Sequence, residues 1–388
     1  MKTAFSIFPK LSSITVLLFV VSLLVSCKTE KEQGNITPGE IWHDTNGVHI
    51  NAHGGGILFH NNTYYWYGEH KIEGDSGNKA QVGVHVYSSN NLSDWDDKGI
   101  ALKVVENDDN HDIAKGCILE RPKVIFNPKT GKFVMWFHLE RKNRGYDDAR
   151  SGVAVSDTPE GPFTFIASFR PDAGFWPLNV QDFHKLPVAD SIKSAYCGGK
   201  GCLPAHPDSL NLLGRDFKNG QMARDMNLFK DDDGKAYLIY SSEENSTLHI
   251  SELSEDYLST SGKYARFFAN RYMEAPVVFK TSNGKYFFMG SDCTGWKPNA
   301  ARSATSESIW GPWTELGNPC IGADSLTTFE SQSTFILPVQ GKQDVFIYMG
   351  DRWKPENPID GRYIWLPVEL NDNNFKIRWI DKWNINAI

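Results

Sequence analysis

The 388-residue sequence has little of what marks several common classes of protein. It carries no excess of positive charge: 40 Lys and Arg stand against 47 Asp and Glu, a net charge of −7. A nucleic-acid binder needs a basic face to neutralise phosphates, so no nucleic-acid partner is expected. Long apolar runs are missing. The stretch Ile14–Val25 is too short to cross a bilayer. Cysteine is scarce, at six residues, and is not arranged as two pairs at zinc-ligand spacing. No G-x-S-x-G elbow accompanies His53-Gly54-Gly55-Gly56, which removes an esterase reading of that loop. H-E-x-x-H, a P-loop and a dinucleotide fingerprint are also missing. Asp231-Asp232-Asp233-Gly234 is out of frame for an EF-hand, whose first ligand position would fall on Phe229. It reads as a hairpin turn.

What is present begins with an export signal. Lys2 and Lys10 precede the apolar stretch, which ends in Leu24-Val25-Ser26-Cys27. Small residues before a cysteine resemble a bacterial lipobox. The expectation is a signal peptide over 1–26, lipidation at Cys27 and a tether over 27–40. The protein would then be anchored in the cell envelope, at the outer membrane, on its periplasmic or surface face. Outside the cytoplasm disulfides are permitted, and Cys197 and Cys202 could close a small loop.

The body, 41–388, is a repeated β pattern with almost no helical periodicity. A turn followed by an aromatic run recurs at Tyr64, Phe133, Tyr237, Tyr286 and Phe346, with spacings of 69, 104, 49 and 60. Ser156–Phe163 and Ser306–Trp313 form a second repeat. Periods near 50–60 suit four-stranded propeller blades. The fold class is therefore all-β, a five-bladed β-propeller, with blades near 48–110, 116–170, 222–265, 270–318 and 328–386. The stretch 171–221 is an insertion, expected beside the funnel or over it. A jelly roll would not show repetition on this scale.

Three carboxylates open apolar strands, where burial is costly unless it serves a site. They are Glu120 in Leu119-Glu120-Arg121-Pro122-Lys123-Val124, Asp225 in Arg224-Asp225-Met226-Asn227, and Glu274 in Met273-Glu274-Ala275-Pro276-Val277. Trp66–His70, Cys293–Asn299 and Asp351-Arg352-Trp353 end predicted strands with groups suited to sugars. From these, Trp296 is the candidate platform, and Glu69 and Arg352 are candidate hydroxyl contacts. Trp136 and Trp365, inside strand runs, are assigned to packing.

These contexts resemble glycoside hydrolase family 43, over about Ile41–Pro367. The resemblance implies an inverting glycosidase with Glu274 as general acid and Asp225 as its tuner and orienter. One departure is informative. The family's general base is an Asp in the first blade, and Ile50–Leu58 contains no carboxylate. That absence resembles the exo-β-1,3-galactanase branch, which implies Glu120 and Gln332 as the groups that position sugar and water. His53 is a further candidate, for the water or the sugar. The resemblance implies a plant-type polysaccharide or oligosaccharide substrate, β-1,3-galactan of arabinogalactan first. The alternatives are an α-L-arabinofuranosidase or β-galactofuranosidase on the same frame, or a glycan-binding propeller without catalysis. No cofactor is required. A calcium ion in the propeller channel is compatible with the resemblance, although no ligand set for a metal is evident.

Overall fold

Each recurring aromatic run forms the second strand of an antiparallel sheet. The computed structural model describes residues 1, 3–4, 34–195, 203–204 and 206–388. Blade one comprises His53–His60, Thr63–His70, Gly83–Ser89 and Asp96–Lys103, and blade two Ile118–Asn127, Lys132–Glu140, Arg150–Ser156 and Thr164–Phe169. Blade three comprises Met226–Lys230, Ala236–Ser242, Thr247–Leu253 and Thr260–Phe267, and blade four Glu274–Lys280, Tyr286–Ser291, Arg302–Ser306 and Thr314–Gly317. Blade five comprises Gln332–Pro338, Phe346–Arg352, Arg362–Leu370 and Phe375–Arg378, with Cys320–Ile321 added in parallel at its outer edge.

The second strands are covered on both faces by neighbouring blades. Lys132–Glu140 is buried throughout except at its ends. A strand buried on both faces reads as a continuous apolar run rather than an alternating one. The outer strands, such as Thr164–Phe169 and Thr314–Gly317, are only half-buried or exposed and carry a weaker pattern. Hairpins take the turn residues they require: Asn61 and Asn62 both have positive φ (48° and 61°), the geometry that lets a two-residue turn follow the strand twist.

Five apolar clusters fill the five clefts between blades. The cleft between blades five and one is tryptophan-rich, with Trp66, Trp95, Trp365 and Trp383 buried and Trp42 packed against them. Here Asn35–Ile36 pairs with Trp383–Asn384, so the start and end of the propeller are joined by backbone hydrogen bonds. Trp136 is fully buried between blades two and three and donates Nε1 to Tyr257 O at 2.8 Å. Trp136→Ala is expected to destabilise the fold by about 3–5 kcal/mol, read from the denaturant midpoint. A midpoint equal to wild type would show that this cleft does not carry the packing.

The described part of 171–221 contains no strand, only short helical turns such as Asp190–Lys193 and Leu212–Asp216. It lies along the outermost strand of blade three: Leu178 N donates to Tyr264 O at 2.7 Å, and Arg266 N donates to Asn179 Oδ1 at 3.0 Å. Cys197 and Cys202 lie outside the described residues, as do Cys27 and most of 1–33. Among the described residues no helix is long and apolar enough to cross a membrane.

Candidate active site

The five inner strands start around one opening, and each brings one residue to an equivalent place. These are His53, Glu120, Asp225, Glu274 and Gln332, which face Glu69, His138, Ser241, Ser291 and Asp351 on the second strands. Just inside the opening the ladder slips in four of the five blades, between His53 and Gly56, Glu120 and Lys123, Glu274 and Val277, and Ser333 and Phe335. Such bulges re-aim side chains and free backbone groups for other partners. Arg121 and Ala275 sit in them with positive φ (54° and 51°). The freed amides find carboxylates: Arg121 N donates to Glu69 Oε1 at 2.9 Å, and Ala275 N to Asp225 Oδ2 at 3.0 Å.

A cavity of about 540 Å³ opens here, with Glu120, Asp225, Glu274, Gln332, Glu69 and Trp296 among its lining. Arg121 is its hub. The buried guanidinium donates Nη2 to Gln332 Oε1 at 2.6 Å, pairs with Asp225 Oδ2 at 2.9 Å, and donates Nη1 to Ser333 O at 3.0 Å. Lys71 pairs with Glu69 at 2.5 Å. Gln332 Oε1 also accepts from Trp353 Nε1 at 3.0 Å, and its Nε2 donates to Ser291 Oγ at 2.9 Å. Its amide oxygen is thus fully engaged, and an N–H is what it has left to offer.

The carboxylates are held in different states. Burial pushes Glu274 up to about 7, and the charge of Asp225 adds to the shift. Burial would raise Asp225 too, but the charge and hydrogen bond of Arg121 outweigh it and keep this carboxylate below its ordinary range. Burial and the charge of Glu69 push Glu120 up to about 7. Near neutral pH, one opening therefore holds an ionised Asp225 beside two carboxyls that keep protons unusually long. Environments that split acids in this way define acid and base roles.

A second cavity, of about 440 Å³, opens among the apolar inner strands, lined by Phe126, Phe279 and Phe335. Among the described residues its one lining carboxylate is Asp232, paired with Lys280 at 2.8 Å. Glu120, Asp225 and Glu274 line the first cavity.

Residues 209–366 match the model of glycosyl hydrolases family 43. A solved family 43 β-1,3-galactosidase, bound to galactodeoxynojirimycin, is 49% identical, with a TM-score of 0.84 covering 90% of this chain and 100% of that one. The chain belongs to glycoside hydrolase family 43. The exo-β-1,3-galactanase of Clostridium thermocellum is 36% identical (TM-score 0.71, 90% of this chain, 66% of that one). That of Phanerochaete chrysosporium, solved with β-1,3-galactotriose, is 32% identical (0.70, 90% and 68%). Among curated proteins, a β-D-galactofuranosidase of Aspergillus niger is 28% identical over 159 residues, 39% of this chain and 45% of that one.

Of the residues expected at the sugar in this family 43 site, His53 and Arg352 do not line the main cavity. His53 is fully buried, stacked on Tyr363 at 5.3 Å, and does not line the cavity; burial holds its imidazole well below its usual range. Arg352 lines an adjoining cavity of about 240 Å³ that shares Trp296, Trp353 and Gln332 with the main one. Its Nε donates to Phe329 O at 3.1 Å. Trp296 is 51% exposed, edge-on to Trp353 at 6.2 Å. Trp136 and Trp365 are packing residues, as expected. The reading of the sequence gave no role to Arg121, Lys71 or Asn245, although Arg121 stands next to Glu120 at the start of an apolar strand. Cys293 and Trp353 lie in the stretches Cys293–Asn299 and Asp351-Arg352-Trp353 that it named for sugar contacts, without a role of their own.

In the channel, Lys123 Nζ donates to Gly54 O at 2.9 Å and Arg121 O at 3.2 Å, and burial lowers this amine to about 7. Among the described residues no group of three His, Cys, Asp or Glu is placed to hold a metal ion.

Proposed function

We propose that this protein is an exo-acting, inverting glycoside hydrolase that releases galactose from β-1,3-linked galactan. The observation that carries the reading is the placing of Glu274 and Asp225 on neighbouring blades at one sugar-sized cavity, with Glu274 raised to about 7 and Asp225 held below its ordinary range. Glu274 protonates the leaving glycosidic oxygen, and water attacks the opposite face of the sugar. Asp225, fixed by Arg121 and the Ala275 amide, keeps Glu274 protonated through its own charge. Glu120 and Gln332, on blades two and five, are the groups left to hold the sugar and the attacking water. Trp296 offers a face for sugar stacking at the mouth. The substrate class rests on likeness to the β-1,3-galactosidase and the exo-β-1,3-galactanases.

The protein is proposed to act on a plant-type polysaccharide from the cell envelope, tethered by a lipid on Cys27. This part rests on the sequence Leu24–Cys27 alone. The test of activity is incubation with β-1,3-galactan and with an arabinofuranose-decorated arabinogalactan, following the first-formed anomer by NMR. Release of galactose, first as the α-anomer, is expected. Arabinose alone would move the substrate to the furanosidase reading, and binding without any product would leave a glycan-binding propeller.

A further inference from the structure

The turn between the second and third strands of blade three is unusual. Glu243, Glu244 and Asn245 all have positive φ (51°, 59° and 64°), a conformation costly for residues other than glycine. All three are buried, two of them acidic. Such a run persists only where its surroundings over-determine it. Arg266 donates Nε and Nη2 to Glu243 at 2.6 Å each, and His249 Nε2 lies 2.7 Å from Glu243 Oε1. Glu244 Oε1 accepts from Nη1 of Arg215 at 2.8 Å. Arg215 belongs to the inserted segment, where its Nε and Nη2 are seated on Asp216 at 2.8 Å.

What this clamped turn presents to the cavity is Asn245. Its Nδ2 donates to Glu274 Oε1 at 3.0 Å and to Tyr146 OH at 2.7 Å. The Cys293 thiol donates to the same Glu274 oxygen at 3.1 Å. Oε1 therefore already accepts two hydrogen bonds. A carboxyl engaged in this way carries its proton on the other oxygen.

We propose that Asn245 is a positioning residue for Glu274, selecting Oε2 as the proton-bearing oxygen, and that the insertion supports catalysis by holding Asn245 through the Arg215–Glu244 pair. In the step served, the anomeric C1–O bond breaks as water bonds to C1 from the opposite face, and the leaving oxygen takes the proton of the breaking Oε2–H bond. The inference rests on Glu274 being the acid. It also gives the insertion a role although no described residue of 171–221 lines the cavity.

The experiment compares a β-1,3-galactobiose, whose leaving group needs a proton, with 2,4-dinitrophenyl β-galactoside, whose leaving group does not. For Asn245→Ala, kcat on the disaccharide should fall by at least about tenfold, within the range that general acid catalysis supplies. KM there, and kcat on the aryl substrate, should stay within about threefold. Arg215→Met alone strands a buried carboxylate, so the charge-matched Arg215→Met/Glu244→Gln variant is tested beside it, with thermal melting. It should show the same selective loss in smaller measure. Equal losses on both substrates, or no loss on the disaccharide, overturn the proposal. Glu274→Gln in parallel separates the two readings: if it too loses both substrates equally, the acid assignment itself has failed.

Discussion

Replacing Glu274 by Gln should lower galactose release from β-1,3-galactan by about 10²–10⁴-fold, the contribution of a well-placed general acid. The amide keeps the size and hydrogen-bonding reach of the side chain but has no proton to give, so substrate affinity should change little. The wild-type pH profile follows from the same group. Glu274 is raised by burial and by Asp225 to about 7. As the proposed general acid it would act in its protonated form, so activity is expected to be retained below that value and to decline as pH rises through it. An ordinary glutamate would already be ionised two to three pH units lower. A profile whose alkaline limb lies near pH 4.5, or a Glu274→Gln variant with undiminished turnover, would sink the assignment.

The second large effect is expected at Arg121. This side chain reaches Asp225 on blade three and Gln332 and Ser333 on blade five from a bulge on blade two. Arg121 is 6% exposed and Asp225 19%, so the pair is largely out of water. Removing one partner of such a pair leaves an uncompensated buried charge, at about 3–5 kcal/mol. Arg121→Met should therefore lower stability by that amount, read from the denaturation curve, and reduce turnover as well. Without the guanidinium, Asp225 rises towards protonation and ceases to oppose ionisation of Glu274. Arg121→Lys keeps the charge but not the planar fork, and should recover part of the stability and less of the activity. Wild-type melting and turnover in Arg121→Met would show that the hub neither holds the blades together nor serves the site.

How much of this was legible beforehand depends on the range of the interaction. Blade number, blade limits and strand class could be read because the second strands are covered on both faces. That environment writes an unbroken aromatic run into the sequence five times, each behind a turn. Glu120, Asp225 and Glu274 were legible because a carboxylate at the head of an apolar strand contradicts its local context. Asn245 and Cys293 offered no such contrast. Asn245 stands in Glu243-Glu244-Asn245-Ser246, which reads as an exposed polar loop, whereas the fold buries all of it under Arg266 and Arg215. His53 failed in the opposite direction. Its setting, His53-Gly54-Gly55-Gly56, is that of a glycine-rich loop, yet Gly55 and Gly68 lie where an added Cβ would meet backbone at 1.9–2.0 Å, and His53 itself is fully buried.

The amino-acid sequence by itself thus determined the repeat, the propeller and one acid per blade in blades two, three and four. These rest on patterns of hydrophobicity and turn chemistry within a few tens of residues. Which of those acids keeps a proton, which is pinned by Arg121, and which polar side chains share their cavity were decided only when five inner strands met around one opening. Burial and charge act through space, and the groups that set the state of Glu274 come from residues 121, 225, 245 and 293, on blades two, three and four.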